Sequence, residues 1–359
     1  MQNISALPDG RKVGSARRLT RRRGKPKHRR APPPDLAQYS SPLPMTSAKI
    51  DVHFHVIPPF YRDAVYAAGT GPAIGRYPEW TPELAIETMD RHGIAVAMAS
   101  VAQPGVAFLA GEAAFAMARR CNDYGAELVA RSPSRFGAFG LVPMHDIGRA
   151  VAECRYCVDE LRHDGVCLFA SYGETFLGDA AFDPVMEFLN ARAAVVFVHP
   201  TLHPSSRSLA LPWPAFMVEY VFDTTRAAMN LVFSGTLARY PAIRFILAHA
   251  GGTLPYVAWR LSVAPMIDAR LQQMGRAEIM QAFGRFWYDN ALACGPETFG
   301  ALSRVAAADH IVFGSDWPFC NDRVLTEEVA TFTAPGFLSA EQVAAIGWGN
   351  AIKLLPGRG

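Results

Sequence analysis

This 359-residue sequence has neither long apolar runs nor a nucleotide-binding turn. No apolar run approaches the roughly 18–20 residues that a helix needs to cross a bilayer, so we expect no membrane span. No G-x-G-x-x-G turn is present, which is the phosphate-binding pattern of dinucleotide-binding sheets, and we expect no organic cofactor. Half of the residues are hydrophobic, which predicts a soluble globular protein with a large core.

Acidic residues are scarce in the first 45 positions, which contain eleven Lys or Arg against only Asp9 and Asp35. This segment has almost no apolar periodicity and includes three consecutive prolines, so we predict a disordered basic arm over residues 1–45. A tether to nucleic acid or to a membrane surface is one alternative for such a basic run. We favour an upstream extension with no role in catalysis.

The remainder of the chain has a different charge balance, with 24 basic and 30 acidic residues. A mildly acidic body offers no basic surface for nucleic acid, and we expect no nucleic-acid or membrane partner. Lysine is almost absent from this part, where it occurs only at Lys49 and Lys353. Because neither an internal repeat nor a second core is visible, residues 46–359 are predicted to form one domain.

No secretion signal precedes the six cysteines, which are therefore expected to be reduced thiols of a cytoplasmic protein. Cys154 and Cys157 form a C-x-x-C pair, but both fall within a helical pattern at 150–163. A redox motif needs a strand-to-helix junction, and a zinc site needs a second cysteine pair. We therefore predict two thiols on a helix.

Short apolar runs alternate with longer amphipathic runs along the body, a pattern typical of βα units. Eight runs are predicted as strands, at 50–55, 95–101, 136–142, 166–170, 194–199, 243–249, 286–290 and 311–315. Helices are predicted at 82–92, 111–129, 147–162, 183–192, 215–239, 254–274, 296–307 and from Ser339 to about 355. Eight such units predict an α/β fold, a single (β/α)₈ barrel of the TIM type with a C-terminal helical extension. The loop-rich segment 56–81 is expected to shape its entrance.

Polar residues stand at the carboxyl ends of several predicted strands, where barrel enzymes place their chemistry. His53 and His55 end the first strand, and strand alternation turns both imidazoles to the same side. His199 and His249 end the fifth and sixth strands, and Asp316 follows the eighth. Packing does not explain four histidines and an aspartate at one face. Three imidazoles with one carboxylate suit Zn²⁺ or Mn²⁺, so we predict a metal site.

The segments that carry these residues resemble the amidohydrolase superfamily. The similarity covers residues 49–355 and is strongest to the decarboxylase branch typified by aminocarboxymuconate semialdehyde decarboxylase and 6-methylsalicylate decarboxylase. The matching segments are 49–55 (KIDVHFH), 198–200 (VHP), 247–252 (LAHAGG) and 314–318 (GSDWP).

The resemblance implies a role for each strand-end residue. His53, His55, His199 and Asp316 would hold the metal, with a water in an open position, and His249 would be the base and later the proton donor. Asp316 would also take part in catalysis as a proton shuttle.

The number of metal ions is expected to be one. Two-metal sites of the superfamily use a carbamylated lysine at the end of the fourth strand, and neither lysine of the body stands there. We therefore expect one divalent ion per chain, with Zn²⁺ as the first expectation and Mn²⁺ as the alternative.

The resemblance also implies how a carboxylic acid substrate is bound. Arg76 matches an arginine that precedes the first helix, Trp213 matches a pocket tryptophan, and Arg260 matches an arginine that reaches the neighbouring subunit's site. Guanidinium groups bind carboxylates through two hydrogen bonds. The expected assembly is a homodimer, which the long apolar stretch 216–237 also favours.

Three functions are weighed on this basis. The first is non-oxidative decarboxylation of a small aromatic or muconate-type carboxylic acid, similar to 6-methylsalicylate. The second is metal-dependent hydrolysis or hydration of a lactone or unsaturated acid on the same barrel. The third is a binding module, for which an open metal site beside a base has no evident use. Phe54, Trp317 and Phe319 are further candidates for the walls of a pocket for a planar ring.

Overall fold

The computed structural model describes residues 48–208 and 211–358, and the predicted basic arm lies outside the described residues. Within them, eight parallel strands form one sheet in which each strand pairs with the next along the chain. The strands are β1 (Lys49–His55), β2 (Ile94–Ser100), β3 (Phe136–Leu141), β4 (Gly165–Phe169), β5 (Val195–His199), β6 (Arg244–Leu247), β7 (Trp287–Asp289) and β8 (Ile311–Val312).

Backbone hydrogen bonds between β1 and the residues that follow β8 close this sheet into a barrel. The Val52 amide donates to the Phe313 carbonyl over 3.0 Å, and the Asp316 amide donates to the His53 carbonyl over 2.7 Å. The predicted TIM-type barrel is therefore confirmed. Its closing seam joins two of the predicted metal ligands through the main chain.

Helices surround the barrel. They span Pro59–Ala67, Pro82–His92, Gly111–Arg131, Ile147–Arg155, Asp183–Asn190, Phe216–Phe233, Thr236–Arg239, Leu254–Ser262, Arg276–Phe283, Pro296–Leu302, Asp322–Phe332, Ala340–Ala344 and Asn350–Leu354, with π-helical turns at Tyr156–Glu160 and Ala345–Gly349. Two predicted helix starts are confirmed: the Thr81 side chain accepts from the Leu84 amide, and Ser339 forms a capping box with Gln342. None of the described helices combines the length and hydropathy that a membrane crossing requires.

Several elements differ from the sequence prediction. The segment expected to be loop-rich contains the helix Pro59–Ala67, and a two-stranded antiparallel hairpin, Ser171–Tyr172 with Thr175–Phe176, follows β4. The helix predicted at 254–274 ends at Ser262, because Pro265 lacks an amide proton and clashes with the preceding turn. The helix predicted at 215–239 is interrupted at Gly235, whose φ is 79°.

The apolar core has two layers. Inside the barrel lie alternate side chains of the strands, among them Ile50, Val52, Met98, Phe197 and Ile246, all fully buried. A larger layer fills the space between the sheet and the helices. The six cysteines are buried and unpaired, and Cys154 lies on a helix with Cys157 in the π-helical turn that continues it. The predicted placement of these two thiols on one helical segment is therefore confirmed.

A tight turn follows β6 and ends this strand earlier than predicted. The strand stops at Leu247, and His249, Ala250, Gly251 and Gly252 all have positive φ. Gly252 has φ +67° and lies so close to the helix Phe216–Phe233 that a Cβ would be 2.0 Å from a backbone oxygen of that helix. Glycine at this position therefore allows the turn that presents His249.

We expect Gly252→Ala to lower the free energy of unfolding by at least about 2 kcal/mol, because it adds both strain and a backbone clash. Gly300→Ala is the matched control, since a Cβ there meets nothing within 4 Å and its position is helical. That control should be neutral or slightly stabilising. Urea unfolding of both variants tests this prediction, and equal stabilities would contradict it.

Candidate active site

The four predicted metal ligands lie together at the carboxyl ends of three strands. His53 and His55 are on β1, His199 ends β5, and Asp316 follows β8. All four residues are buried, and one potential ligand atom from each lies within 4.8 Å of the others. The barrel thus brings residues from both ends of the domain to one point.

Hydrogen bonds orient two of the imidazole rings toward that point. His53 Nδ1 donates to Asp289 Oδ2 over 2.9 Å, and His199 Nδ1 donates to the Pro200 carbonyl over 2.7 Å. A ring that donates from Nδ1 keeps a lone pair on Nε2, which is then available to a metal.

Ser100 orients the third ring. The Ser100 hydroxyl donates to the Phe54 carbonyl over 3.2 Å, and its oxygen lies 3.0 Å from His55 Nδ1. Because the hydroxyl proton is engaged by the carbonyl, the oxygen accepts from His55 Nδ1. All three ligand histidines therefore present Nε2 to the same site.

The side chains fit a divalent ion. Within the described part of the chain, His53 Nε2 and His55 Nε2 are buried without a hydrogen-bond partner, which would cost about 1–3 kcal/mol each. They lie 3.3 and 3.1 Å from Asp316 Oδ1. Ligands held by one ion at about 2.0–2.2 Å are spaced at roughly this separation. A divalent metal would satisfy both nitrogen atoms and the carboxylate.

The pKa shifts of the three histidines are consistent with a metal site. Burial lowers the pKa of His55 and holds the pKa of His199 well below its usual value, so both rings are neutral ligands. Burial also opposes charge on His53, but the Asp289 and Asp316 carboxylates outweigh it and raise the His53 pKa to about 10. A metal must therefore displace a proton from His53 when it binds.

Both lysines of the described chain are engaged away from this cluster. Lys49 Nζ donates to the His92 carbonyl over 2.9 Å, and Lys353 Nζ lies 3.4 Å from Asp309. β4 ends at Phe169, so no lysine stands where a two-metal site would need its bridge. The geometry supports a site for a single divalent ion.

His249 stands beside the metal ligands but is bonded differently. Its Nε2 lies 3.5 Å from Asp316 Oδ2, and its Nδ1 has no hydrogen-bond partner among the described residues. Its φ of 57° turns the ring into the barrel mouth, and its amide donates to Asp289 Oδ1 over 2.9 Å. The imidazole is free to exchange a proton with a molecule bound next to the metal.

Asp289 is a site residue that the sequence analysis missed. Its Oδ2 accepts from His53, and its Oδ1 accepts from the amides of His249 and Ala291. One fully buried carboxylate therefore positions both a predicted metal ligand and the predicted base. The available signal was its place at the end of β7, the same position that identified the other site residues.

A cavity of about 380 Å³ opens beside the metal cluster. His199, His249 and Asp316 line one side of it, and Phe319 is among the mainly apolar residues of the other walls. Two suggested wall residues lie elsewhere. Phe54 and Trp317 stack at 4.8 Å and belong to the core layer between the sheet and the helices. A register shift in β1 between Asp51 and Phe54 places Phe54 on the face opposite Ile50 and Val52.

Three predicted substrate-binding residues do not line this cavity in a single chain. Trp213 is 72% exposed, and Arg76 and Arg260 are exposed as well. Arg76 follows Ala73 and Ile74, which do line the cavity, so it stands near the rim. The chain by itself therefore brings together the predicted ligands and base but not the predicted carboxylate-binding residues.

The chain matches the amidohydrolase family over residues 50–357 and belongs to that family. The 6-methylsalicylic acid decarboxylase of Penicillium expansum is 38% identical over 315 residues, which cover 86% of this chain and 96% of that protein. The crystal structure of an amidohydrolase II is 26% identical with a TM-score of 0.80 and covers 86% of this chain and 99% of that one. Another similar structure, dihydroxybenzoic acid decarboxylase from Polaromonas sp. JS666 with bound manganese and the inhibitor 2-nitroresorcinol, is 26% identical with a TM-score of 0.68 and covers 86% of this chain and 97% of that one.

We expect purified protein to hold about one equivalent of Zn²⁺ or Mn²⁺ per chain, because the four ligand atoms surround one point. His53→Ala should reduce metal content to a small fraction, whereas His249→Ala should leave it near that of the wild type. Elemental analysis makes the measurement, and two equivalents per chain would contradict the assignment.

Apparent metal affinity should fall as pH decreases, since protons compete with the metal for His53.

Proposed function

We propose that this protein is a metal-dependent carboxy-lyase that removes carbon dioxide from a small aromatic carboxylic acid similar to 6-methylsalicylate. The observation that carries the proposal is the position of the His249 imidazole, whose Nδ1 has no hydrogen-bond partner among the described residues, at the junction of the metal cluster and a mainly apolar cavity. The 38% identity to 6-methylsalicylic acid decarboxylase supports the same reaction. Hydrolysis or hydration, the alternative weighed from the sequence, gains no support from the decarboxylase relatives.

The proposed metal site consists of His53, His55, His199 and Asp316. A divalent ion there would act as a Lewis acid that binds substrate oxygen atoms and stabilises negative charge. Zn²⁺ and Mn²⁺ both suit three imidazoles and a carboxylate. The manganese bound to the dihydroxybenzoic acid decarboxylase supports Mn²⁺, and the imidazole-rich donor set supports Zn²⁺.

His249 is proposed to supply the proton that the reaction requires. When the bond between ring and carboxylate breaks, its electron pair stays on the ring carbon, which takes up one proton while carbon dioxide leaves. An imidazole that lines the substrate cavity can deliver this proton directly. Asp316 Oδ2 lies 3.5 Å from His249 Nε2, so this carboxylate can stabilise the protonated ring before transfer and also pass a proton onward.

The metal-loaded enzyme should convert 6-methylsalicylate or a close hydroxybenzoate to the ring without its carboxylate. His249→Ala should lower kcat by about 10²–10⁴-fold with normal metal content, because it removes the proton donor alone. Mass spectrometry of the product and carbon dioxide release make the measurement. Addition of water without release of carbon dioxide would refute the decarboxylase assignment.

Exposed apolar side chains support a homodimer. They lie on neighbouring segments before and along the helices Phe216–Phe233 and Leu254–Ser262, and comprise Leu211, Trp213, Met217, Val218, Phe222, Tyr256 and Trp259. Contiguous apolar surface of this kind is typical of protein interfaces. We propose that a second copy of the chain covers it.

Arg260 is exposed and follows Trp259 on the helix Leu254–Ser262, which carries part of that apolar surface. Because it is exposed and does not line the cavity of its own chain, we propose that it binds the substrate carboxylate in the partner's site. Arg76 at the cavity rim is proposed as a second carboxylate contact and Trp213 as a wall completed by dimerisation.

Mixing two inactive variants, His249→Ala and Arg260→Ala, should restore activity after dissociation and reassociation. If Arg260 acts in the partner's site, each mixed dimer contains one site in which both residues are wild type. If it acts within its own chain, every site keeps one lesion. Native mass spectrometry confirms the mixed dimers, and their inactivity would rule out the shared site.

A further inference from the structure

A pair of neutral polar side chains interrupts the apolar lining of the cavity. Gln103 follows β2, Tyr220 is on the helix Phe216–Phe233, and both line the cavity with His249 and Asp316. We infer that Gln103 and Tyr220 form a subsite for a hydroxyl substituent of the substrate, and that the subsite discriminates against a second carboxylate. This inference rests on the proposed function.

The hydrogen bond between the two side chains determines which donor and acceptor groups the subsite presents to a ligand. Tyr220 Oη donates to Gln103 Oε1 over 3.1 Å. The amide oxygen is therefore turned toward the tyrosine, and Gln103 Nε2 keeps two N–H groups that no described residue accepts. Tyr220 Oη keeps its acceptor lone pairs. The pair thus presents a donor and an acceptor side by side.

A hydroxyl group is complementary to both halves of this pair. Its oxygen can accept from Gln103 Nε2, and its proton can be donated to Tyr220 Oη. A methyl group satisfies neither partner. A carboxylate can accept from the amide but meets the lone pairs of the tyrosine oxygen with negative charge.

The charge of the cavity strengthens this discrimination. Of the described residues that line it, none is Lys or Arg, and Asp316 is an acid. A first carboxylate can be held by the metal and by the arginine proposed from the partner. A second one at this wall would be buried without a cation, which is strongly unfavourable.

The subsite is close to the metal cluster. The Tyr220 ring lies 6.1 Å from the ring of the ligand His199, measured between centroids. Phe216, one helical turn earlier, lies 6.2 Å from Tyr220 and lines the same cavity. A ring whose carboxylate is near the metal can therefore extend a neighbouring substituent toward Gln103 and Tyr220.

Three probes that differ at one ring position test the inference: 2-hydroxy-6-methylbenzoate, 2,6-dimethylbenzoate and 3-methylphthalate. They place a hydroxyl, a methyl or a carboxylate at the same carbon. Dissociation constants are measured by calorimetry on the metal-loaded His249→Ala full-length protein, so that no probe is turned over. Two hydrogen bonds should favour the hydroxyl over the methyl by about 10–100-fold, and the carboxylate should bind most weakly.

Gln103→Leu and Tyr220→Phe should each reduce the preference for hydroxyl over methyl by about tenfold, with metal content unchanged. Thr298→Val is the matched control, because Thr298 is another hydroxyl of the cavity wall outside the pair, and it should keep the preference. Gln103→Lys should selectively strengthen binding of 3-methylphthalate by supplying a cation. Equal weakening of all three probes by Gln103→Leu and Tyr220→Phe would mean that the pair only joins two segments, and would overturn the inference.

These binding constants also separate the inference from the proposed function. If the wild-type enzyme decarboxylates no aromatic acid but Gln103→Leu and Tyr220→Phe selectively reduce the preference for hydroxyl over methyl, the proposed function fails and the subsite stands. If it decarboxylates hydroxybenzoates while the variants leave the preference intact, the subsite fails and the proposed function stands.

Discussion

The site depends on a single buried carboxylate, that of Asp289. It holds the His53 ring through Nδ1 and the His249 backbone through the amide, so the proposed metal ligand on β1 and the proposed base in the turn after β6 share one anchor. Asp289 Oδ1 also accepts from the Ala291 amide, so three donors satisfy one fully buried carboxylate. The left-handed backbone at His249 is held in place by the bond that its amide donates.

The residues that close the barrel also form part of the metal cluster. The amide of Asp316 bonds the carbonyl of His53 across the closing seam, while their side chains converge on the same point. In that geometry, imidazole nitrogens and a carboxylate stand in a site from which water is largely excluded. A divalent ion at that point would neutralise the carboxylate and satisfy the orphaned nitrogens, so its binding would also stabilise the junction between the first and last strands.

The cavity beside the cluster is chemically incomplete in a single chain. Its described lining contains no Lys or Arg to hold an acid, while Arg260 is exposed among apolar side chains that one barrel leaves uncovered. A shared site between two copies would account for both observations, since association would bury the apolar surface and supply the missing charge. Within the cavity, the Gln103–Tyr220 pair offers neutral hydrogen-bonding groups to a ring substituent. The substrate carboxylate would instead be bound by the metal and by Arg260 of the second copy.

The sequence by itself determined the barrel, the strand order and the convergence of His53, His55, His199, His249 and Asp316. Strand periodicity and the carboxyl-end rule act locally, and both can be read from consecutive residues. The sequence did not identify Asp289, whose role appears only when β7 stands between β6 and β8 with its carboxylate within reach of two neighbours. The sequence analysis also extended β6 into the turn at His249 and offered Phe54 and Trp317 as candidates for the cavity wall. Only the tertiary structure decided these points, because backbone turns and side-chain contacts depend on what lies opposite a residue and not on its neighbours in the chain.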